Sequence, residues 1–264
     1  MAFRSPSFDA VQEVSIGNVV LGRAPVKIIS SVCAATAEEM IEQAKAIEAS
    51  GADIIEWRAD YFADGTSWQE AVAAMKAVVT KPVIYTFRSQ SEGGVCTEPM
   101  SSTTWRKKVL AAIDSKLFDA VDIEFDRGRA EFLVEAARKA GIASVVSWHS
   151  FVPGEYDEEL GYFGKLEQMS YTGADVLKIV AMPDKGIDIA RFIEEVSVIR
   201  AEFNAPQPLI AMCMGKTGAV TRVGAAAFGS CATFASVVMS SAPGQLDVET
   251  TRKLLDLFAE DNTA

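Results

Sequence analysis

The sequence predicts an α/β fold: a (β/α)8 TIM barrel with an N-terminal β-hairpin closing the barrel bottom. Three observations carry that expectation. Apolar, β-branched runs recur eight times, at 26–32, 54–57, 83–87, 120–125, 143–148, 176–180, 208–212 and 231–238. Helical patterns separate them. Eight strand-then-helix units fit the chain's length, since such barrels typically take ~250 residues.

The elements follow in order. Residues 1–12 read as a loose tail. Two short apolar stretches over 14–21 flank Gly17-Asn18, a two-residue hairpin signal. The eight runs are nearly continuous in apolar residues, as a parallel sheet covered on both faces requires. The clearest helix starts at Thr36, where Thr36 and Glu39 spell a capping box; Met40, Ile41, Ala44 and Ile47 mark one face, and Gly51 supplies a stop. A second spans 130–140 before Gly141. Further helices are expected near 67–79, 102–116, 156–172, 187–202, 219–227 and 247–259. An open doubly wound sheet is the alternative; it usually has fewer strands and a Gly-rich first turn, and no G-x-G-x-x-G follows the first run. No linker or composition shift divides the chain, so residues 1–264 read as one domain.

Composition narrows the function classes. The formal net charge is -11, which argues against nonspecific nucleic-acid or anionic-membrane partners. An anionic substrate would then need local arginines. Cys33, Cys96, Cys213 and Cys231 are widely spaced, without C-x-x-C or zinc-ligand spacing, and read as free thiols. The N-terminus lacks the apolar core of a signal peptide and no apolar run reaches 18 residues, so a cytoplasmic location is expected.

In a TIM barrel the chemistry sits at the C-terminal strand ends. There the second run delivers Glu56 and Arg58, two apart and on one side of a strand. The third delivers Arg88 and then Glu92-Gly93-Gly94, the fourth Asp122 and Glu124, the fifth His149, and the sixth Lys178. After the seventh come Gly215-Lys216-Thr217-Gly218 and Arg222, and after the eighth Ser241 to Gln245.

Lys178 lies between Val176-Leu177 and Ile179-Val180. Burial disfavours an ammonium, and a neutral amine is a nucleophile for a ketone; a structural lysine paired with Glu124 or Asp122 is the other reading. His149, the only histidine, is the natural general acid–base, or else a structural residue. Glu56–Arg58 also reads as an internal ion pair, and Glu92 as a surface residue. Three carboxylates near one site also match a metal set, but one histidine among neighbouring cations argues against it. Gly215-Lys216-Thr217 suggests a phosphate loop, yet position 210 is Ile where that motif needs Gly, so a turn into the next helix is expected.

These residues resemble type I 3-dehydroquinate dehydratase. The matching segments are Glu56-Trp57-Arg58-Ala59-Asp60, Thr86-Phe87-Arg88 with Glu92-Gly93-Gly94, Ser147-Trp148-His149 with Phe151, and Lys178-Ile179 with Met182-Pro183. Met214 to Gly218, Arg222, Phe228-Gly229-Ser230 and Ser241 to Gln245 complete the set. The resemblance implies loss of water from 3-dehydroquinate through a lysine Schiff base, with no metal and no organic cofactor, in a homodimer. It implies Lys178 as the imine-forming residue, His149 as general base and then acid, and Glu92 as its assistant. Arg222 would hold the substrate carboxylate, Ser241 and Gln245 would close over it from a lid, and Glu56, Arg58, Arg88 and Ser31 would bind hydroxyls or support the lysine. Gly93-Gly94 and Pro243-Gly244 are the expected movable loops. The chain departs from many members at Ser150, where an acidic residue follows the histidine, which leaves the partner of His149 open. Two rivals remain: another lysine-imine barrel such as a class I aldolase, and a barrel that binds this metabolite without turnover.

Overall fold

The computed structural model describes residues 11–259 apart from 64, 98, 203 and 204. The expected N-terminal tail thus lies outside the described residues except for its last two.

The first two strands, β1 (Val14–Ile16) and β2 (Val19–Leu21), pair antiparallel around Gly17-Asn18, as the sequence predicts. Eight parallel strands follow: β3 (Lys27–Val32), β4 (Ile54–Arg58), β5 (Val83–Thr86), β6 (Ala120–Glu124), β7 (Ala143–His149), β8 (Val176–Ala181), β9 (Leu209–Cys213) and β10 (Ala232–Phe234). Their hydrogen-bonded order is β10-β3-β4-β5-β6-β7-β8-β9. At the remaining seam Leu209 bridges Ser230, and Cys231 N donates to Leu209 O at 2.7 Å. The Ser230 hydroxyl takes a further rung there, accepting from Ala211 N at 2.9 Å.

Among the described residues, eight α-helices cover the outside: α1 (Ala37–Glu48), α2 (Trp68–Lys76), α3 (Ser102–Ser115), α4 (Ala130–Ala140), α5 (Gly161–Ser170), α6 (Gly186–Glu202), α7 (Gly215–Val223) and α8 (Val248–Ala259). Helix α1 begins as expected, with Glu39 N donating to Thr36 Oγ1 at 3.2 Å. It stops at Glu48, with Ala49 as its cap, so Gly51 is not the stop. Gly141 does end α4, in the left-handed conformation. The buried face of α4, Ala130, Leu133, Val134 and Ala137, follows the 3-and-4 spacing of one helical stripe.

The pleat explains where everything points. Every second residue of a strand faces inward. Ile29, Ile54, Ile84, Ala120, Val145, Val176, Ile210 and Ala232, one from each strand, form an apolar floor with Val14, Ile16 and Leu21 of the hairpin. The hairpin therefore plugs the N-terminal end. Intervening residues such as Ile28, Ile55, Tyr85, Val121, Val146 and Leu177 pack outward in the larger barrel–helix core. Two residues above the floor, the same inward alternation delivers Ser31, Glu56, Thr86, Asp122, Ser147, Lys178, Met212 and Phe234. Above those lie Arg58, Arg88, Glu124, His149, Val180 and Met214.

Two further expectations are corrected. The last strand does not run to 238. After Phe234 the chain turns away, and Ser236 pairs with the segment entering α8 (Ser236 N to Leu246 O 2.9 Å, Val248 N to Ser236 O 3.0 Å), leaving Val238 and Met239 exposed. Gly215-Lys216-Thr217-Gly218 is the first turn of α7 itself, not a turn ahead of it, with Lys216 and Thr217 exposed.

Candidate active site

The upper inward layers open into a narrow cleft at the C-terminal strand ends, the face on which barrels of this kind carry their chemistry. Lys178, His149, Glu56, Arg58, Arg88, Glu92, Arg222, Ser241 and Gln245 all line it, with Phe151, Met212, Met214 and Phe234. Ser31 lies beneath, its hydroxyl 2.6 Å from Glu56 Oε2 and 2.9 Å from Ser241 Oγ. The fold thus gathers every candidate residue from seven separate segments around one space.

Lys178 is buried, with its amine 3.2 Å from Asp122 Oδ2, 3.9 Å from Glu56 Oε1 and 4.5 Å over the Phe234 ring. Its partners are Asp122 and Glu56; Glu124, the other carboxylate considered, is turned elsewhere. Of the two readings of Glu56 and Arg58, the internal ion pair does not form. Arg58 instead forks onto Asp60, with Nε to Oδ1 and NH2 to Oδ2 both at 2.8 Å. Glu56 accepts from Ser31 and from Thr86 (2.9 Å). The reason is local: Asp60 sits in the turn leaving β4, where its carboxylate meets the guanidinium edge-on, while Glu56 is one layer lower and faces the amine.

Arg88 bridges two buried carboxylates, Asp122 at 2.6 Å and Glu124 at 2.7 Å, and donates to Ser147 Oγ at 3.0 Å. Burial works to raise the Asp122 carboxyl, but the Arg88 and Lys178 charges overcome it and hold Asp122 below the ordinary carboxylate range. Removing one partner of such a network leaves uncompensated buried charge, at a cost of about 3–5 kcal/mol. Arg88→Met should therefore lose about that much stability in denaturant unfolding; a change below ~1 kcal/mol would mean the network is not holding the barrel mouth together.

His149 Nδ1 lies 2.8 Å from Glu124 Oε2. The same oxygen also accepts from Arg88, so the imidazole is the outermost member of a chain running Lys178–Asp122–Arg88–Glu124–His149. Its ring stacks on Phe151 at 6.1 Å. Burial, then the nearby Arg88, Lys178 and Arg58 charges, push the imidazole well below its usual range, so it is neutral. Burial pushes Glu124 up to about 8, against the pull of Arg88.

Glu92 is not the residue hydrogen-bonded to His149. Its carboxylate accepts from Ser89 N at 3.0 Å and pairs with Arg127, whose NH1 also donates to Met100 O at 2.7 Å. The 3-10 turn over residues 90–92 and the left-handed Gly93 that ends it set this geometry. A Cβ on Gly93 would fall 2.3 Å from the Phe151 ring, so the loop is pressed onto the aromatic that backs His149. Ser150, the departure noted in the sequence, donates to Glu155 Oε2 at 2.5 Å and makes no link to His149.

Arg222 differs from the other arginines. It is buried on α7 and touches only neutral acceptors: Met212 Sδ (3.1 Å), Phe234 O (3.4 Å) and Pro243 O (3.2 Å). Its Nε is buried without a partner, and among the described residues no carboxylate pairs with it. Burial lowers its pKa to about 10, still charged at neutral pH. An unpaired guanidinium beside a cleft is a site for an incoming anion. Above it, Ser241 and Gln245 bond reciprocally (Ser241 N to Oε1 3.0 Å, Nε2 to Ser241 Oγ 3.0 Å). Gly244 holds that loop against α7: a Cβ there would be 2.1 Å from Gly215 O.

A family model for type I 3-dehydroquinase matches residues 28–262, the whole barrel and everything that lines the cleft. The chain belongs to this family. A 3-dehydroquinate dehydratase of Salmonella agona (strain SL483) is 34% identical over 254 residues, covering 94% of this chain and 99% of that protein. Among solved structures, the 3-dehydroquinate dehydratase of Geobacillus kaustophilus superposes with a TM-score of 0.87 at 26% identity, covering 95% of this chain and 98% of that one. The type I enzyme from Clostridium difficile, solved with covalent modified comenic acid, gives 0.85 at 27%, covering 94% and 98%.

Ser147, quoted in one matching segment, and Phe234 have no role assigned by the sequence; Ser147 hydrogen-bonds both Asp122 (2.5 Å) and Arg88, and Phe234 forms the wall against the lysine. Both were findable: Ser147 is two before His149, and Phe234 is two after an inward Ala232. Among the described residues no group of three or more His, Cys, Asp or Glu is arranged to hold a metal ion, and no helix is long and apolar enough to cross a membrane.

Proposed function

We propose that this chain dehydrates 3-dehydroquinate to 3-dehydroshikimate, in the shikimate pathway, through a Schiff base on Lys178. One observation carries the reading: a buried primary amine and a neutral histidine face the same cleft as an arginine that has no anion of its own.

The chemistry follows from those groups. The Lys178 amine adds to the substrate ketone, and loss of water gives an imine, an electron sink for the adjacent carbon. Asp122 and Glu56 steady the positive charge that the nitrogen carries as the iminium forms. His149 takes a proton from the carbon beside it, giving an enamine in place of a bare enolate. The enamine expels the ring hydroxyl, which leaves as water on protonation from His149. Hydrolysis of the product imine restores the amine. Arg222 holds the carboxylate in a fork, Ser241 and Gln245 close the cleft, excluding water from the intermediates, and Ser31 supports both Glu56 and Ser241 from beneath. Arg58 and Arg88 support the cleft through Asp60, Asp122 and Glu124. Glu92, held by Arg127, lies on the same wall and binds substrate or tunes the field at His149. No metal or organic cofactor has a part. The same reading makes the chain one barrel domain and a cytoplasmic homodimer, which light scattering at twice the chain mass checks.

The test is direct. Mixed with 3-dehydroquinate, the protein should produce the ultraviolet absorbance of an enone acid, and borohydride should inactivate it only when substrate is present. Turnover of sugar phosphates with release of an aldehyde, or tight binding without product, would overturn the reading.

The Arg222 assignment has its own signature. Arg222→Met should raise KM by on the order of 10²-fold, since truncating one partner of a buried ion pair costs about 2–5 kcal/mol. The ligand-free protein should become more stable by about 1–3 kcal/mol, because a desolvated, unpaired cation has been replaced by an apolar side chain. Equal loss of stability and affinity would make Arg222 a structural residue.

A further inference from the structure

We propose that Glu124 is the proton-holding partner of His149: as Nε2 takes a proton at the cleft, the Nδ1 proton passes to Glu124, and the imidazole stays neutral throughout. Glu124 is thus a positioning residue that acts through the histidine, and the inference rests on the dehydration chemistry proposed above.

Three facts carry it. The contact is short, 2.8 Å, and both side chains are buried, at 7% and 3% exposure. Cations crowd the ring: Arg88 at the end of β5, Lys178 on β8 and Arg58 on β4 all disfavour an imidazolium. Around the carboxyl the balance is reversed. Asp122 on its own strand, Glu92 in the 3-10 turn and Asp126 just after β6 all favour its protonated form, with Arg88 opposing and Ser147 alongside. A proton arriving at this pair is therefore held better by the carboxyl than by the ring. In a serine-hydrolase triad the carboxylate stays ionised behind the histidine; here burial and local charge invert the order. Glu92, the alternative partner, is committed to Arg127 and Ser89 N.

The proton balance closes. In the base form Glu124 is a carboxylate accepting Nδ1–H, and Nε2 carries the lone pair. Nε2 takes the proton from the substrate carbon, whose bonding pair moves into the enamine, while the Nδ1 proton moves to Oε2. The pair has gained one proton and the ring is the neutral Nε2–H tautomer. When the carbon–oxygen bond breaks, its electron pair leaves with the hydroxyl. Nε2 delivers its proton to form water, and Nδ1 recovers its proton from Glu124.

Because His149 is the only histidine, nitrogen-15 NMR of histidine-labelled, ligand-free protein reads this site without assignment. As pH falls through about 8, where burial places Glu124, the ring should switch from the Nδ1–H to the Nε2–H neutral tautomer, with no imidazolium. Glu124→Gln should abolish the switch and Glu92→Gln should retain it. Imidazolium in the wild type over that range, a switch surviving in Glu124→Gln, or one lost in Glu92→Gln, each overturns the proposal. The wild-type spectrum decides even if Glu124→Gln fails to fold.

Kinetics supply the second readout. The base form is the deprotonated pair, so kcat/KM for 3-dehydroquinate should rise with pH and level off above about 8. Glu124→Gln should lose that limb and about 10²-fold in kcat, and Glu124→Asp should restore the limb in part. A merely structural role would lower kcat with the limb unmoved. The NMR requires no turnover, so absence of dehydratase activity would sink the functional reading while leaving the tautomer switch to be judged alone.

Discussion

Lys178→Ala should lower kcat for dehydration of 3-dehydroquinate by on the order of 10⁶-fold, the scale seen when a covalent nucleophile is removed, and abolish the borohydride-trapped adduct. The expectation rests on two features of β8. The amine rises from a strand whose neighbours Leu177 and Ile179 pack outward in the barrel–helix core, so Lys178 itself must face the cleft. Its partners Asp122 and Glu56 hold it from below, which fixes its position without covering the face toward Phe234. The fold should survive the change, because Asp122 retains Arg88 at 2.6 Å and Glu56 retains Ser31 and Thr86. Thermal unfolding of the variant separates loss of chemistry from loss of structure. Mass spectrometry of the wild type should place one ligand on the peptide carrying Lys178. Product formation with no adduct at that peptide would end the Schiff-base assignment while leaving the dehydratase reading intact; a folded Lys178→Ala variant with near-normal turnover would do the same.

How far the site could be read in advance depended on which physical rule set each feature. Strand and helix positions follow from hydrophobic period, and so did the barrel. Period two also placed Glu56 with Arg58, Asp122 with Glu124, and Lys178 on inward faces. What period does not contain is which charged groups close on which. Arg58 chose Asp60 over Glu56 because the turn after β4 brings that carboxylate alongside the guanidinium. Glu124 reached His149 because β6 and β7 pair Glu124 with Ser147, two residues before the histidine. That register belongs to the sheet and not to either strand alone. The partner of Glu92, Arg127, is 35 residues away and follows a different strand, so no local pattern points to it. The last strand ends before 238 for a related reason. Val237 and Val238 are as β-prone as their predecessors, but Leu246 and Val248 compete for the backbone of Ser236 and draw the chain into the loop that carries Ser241 and Gln245. Family resemblance implies roles where register is needed, and it differs from the hydrogen bonds of the structure beside His149, where Glu124 and not Glu92 meets the ring.

His149→Ala should leave imine formation intact and stall the next step. The amine and Arg222 remain, so 3-dehydroquinate still binds and condenses. Proton abstraction then lacks its base, and kcat falls by about 10²–10⁴-fold, the range for general acid–base catalysis. This gives a qualitative signature that Lys178→Ala cannot: borohydride should trap more adduct than in the wild type, at the mass of the substrate imine, one water heavier than the product imine. Vacating the ring removes one hydrogen-bond partner of Glu124, while Arg88 remains at 2.7 Å and Ser147 at 3.4 Å, so the carboxyl should stay buried and the barrel mouth folded. The two variants together order the mechanism. Loss of adduct in one and its accumulation in the other would put the lysine before the histidine. If His149→Ala instead traps product imine at the wild-type rate, the proton leaves by another group. Glu92, on the same wall of the cleft, would be the first to examine by the same trapping in a Glu92→Gln background.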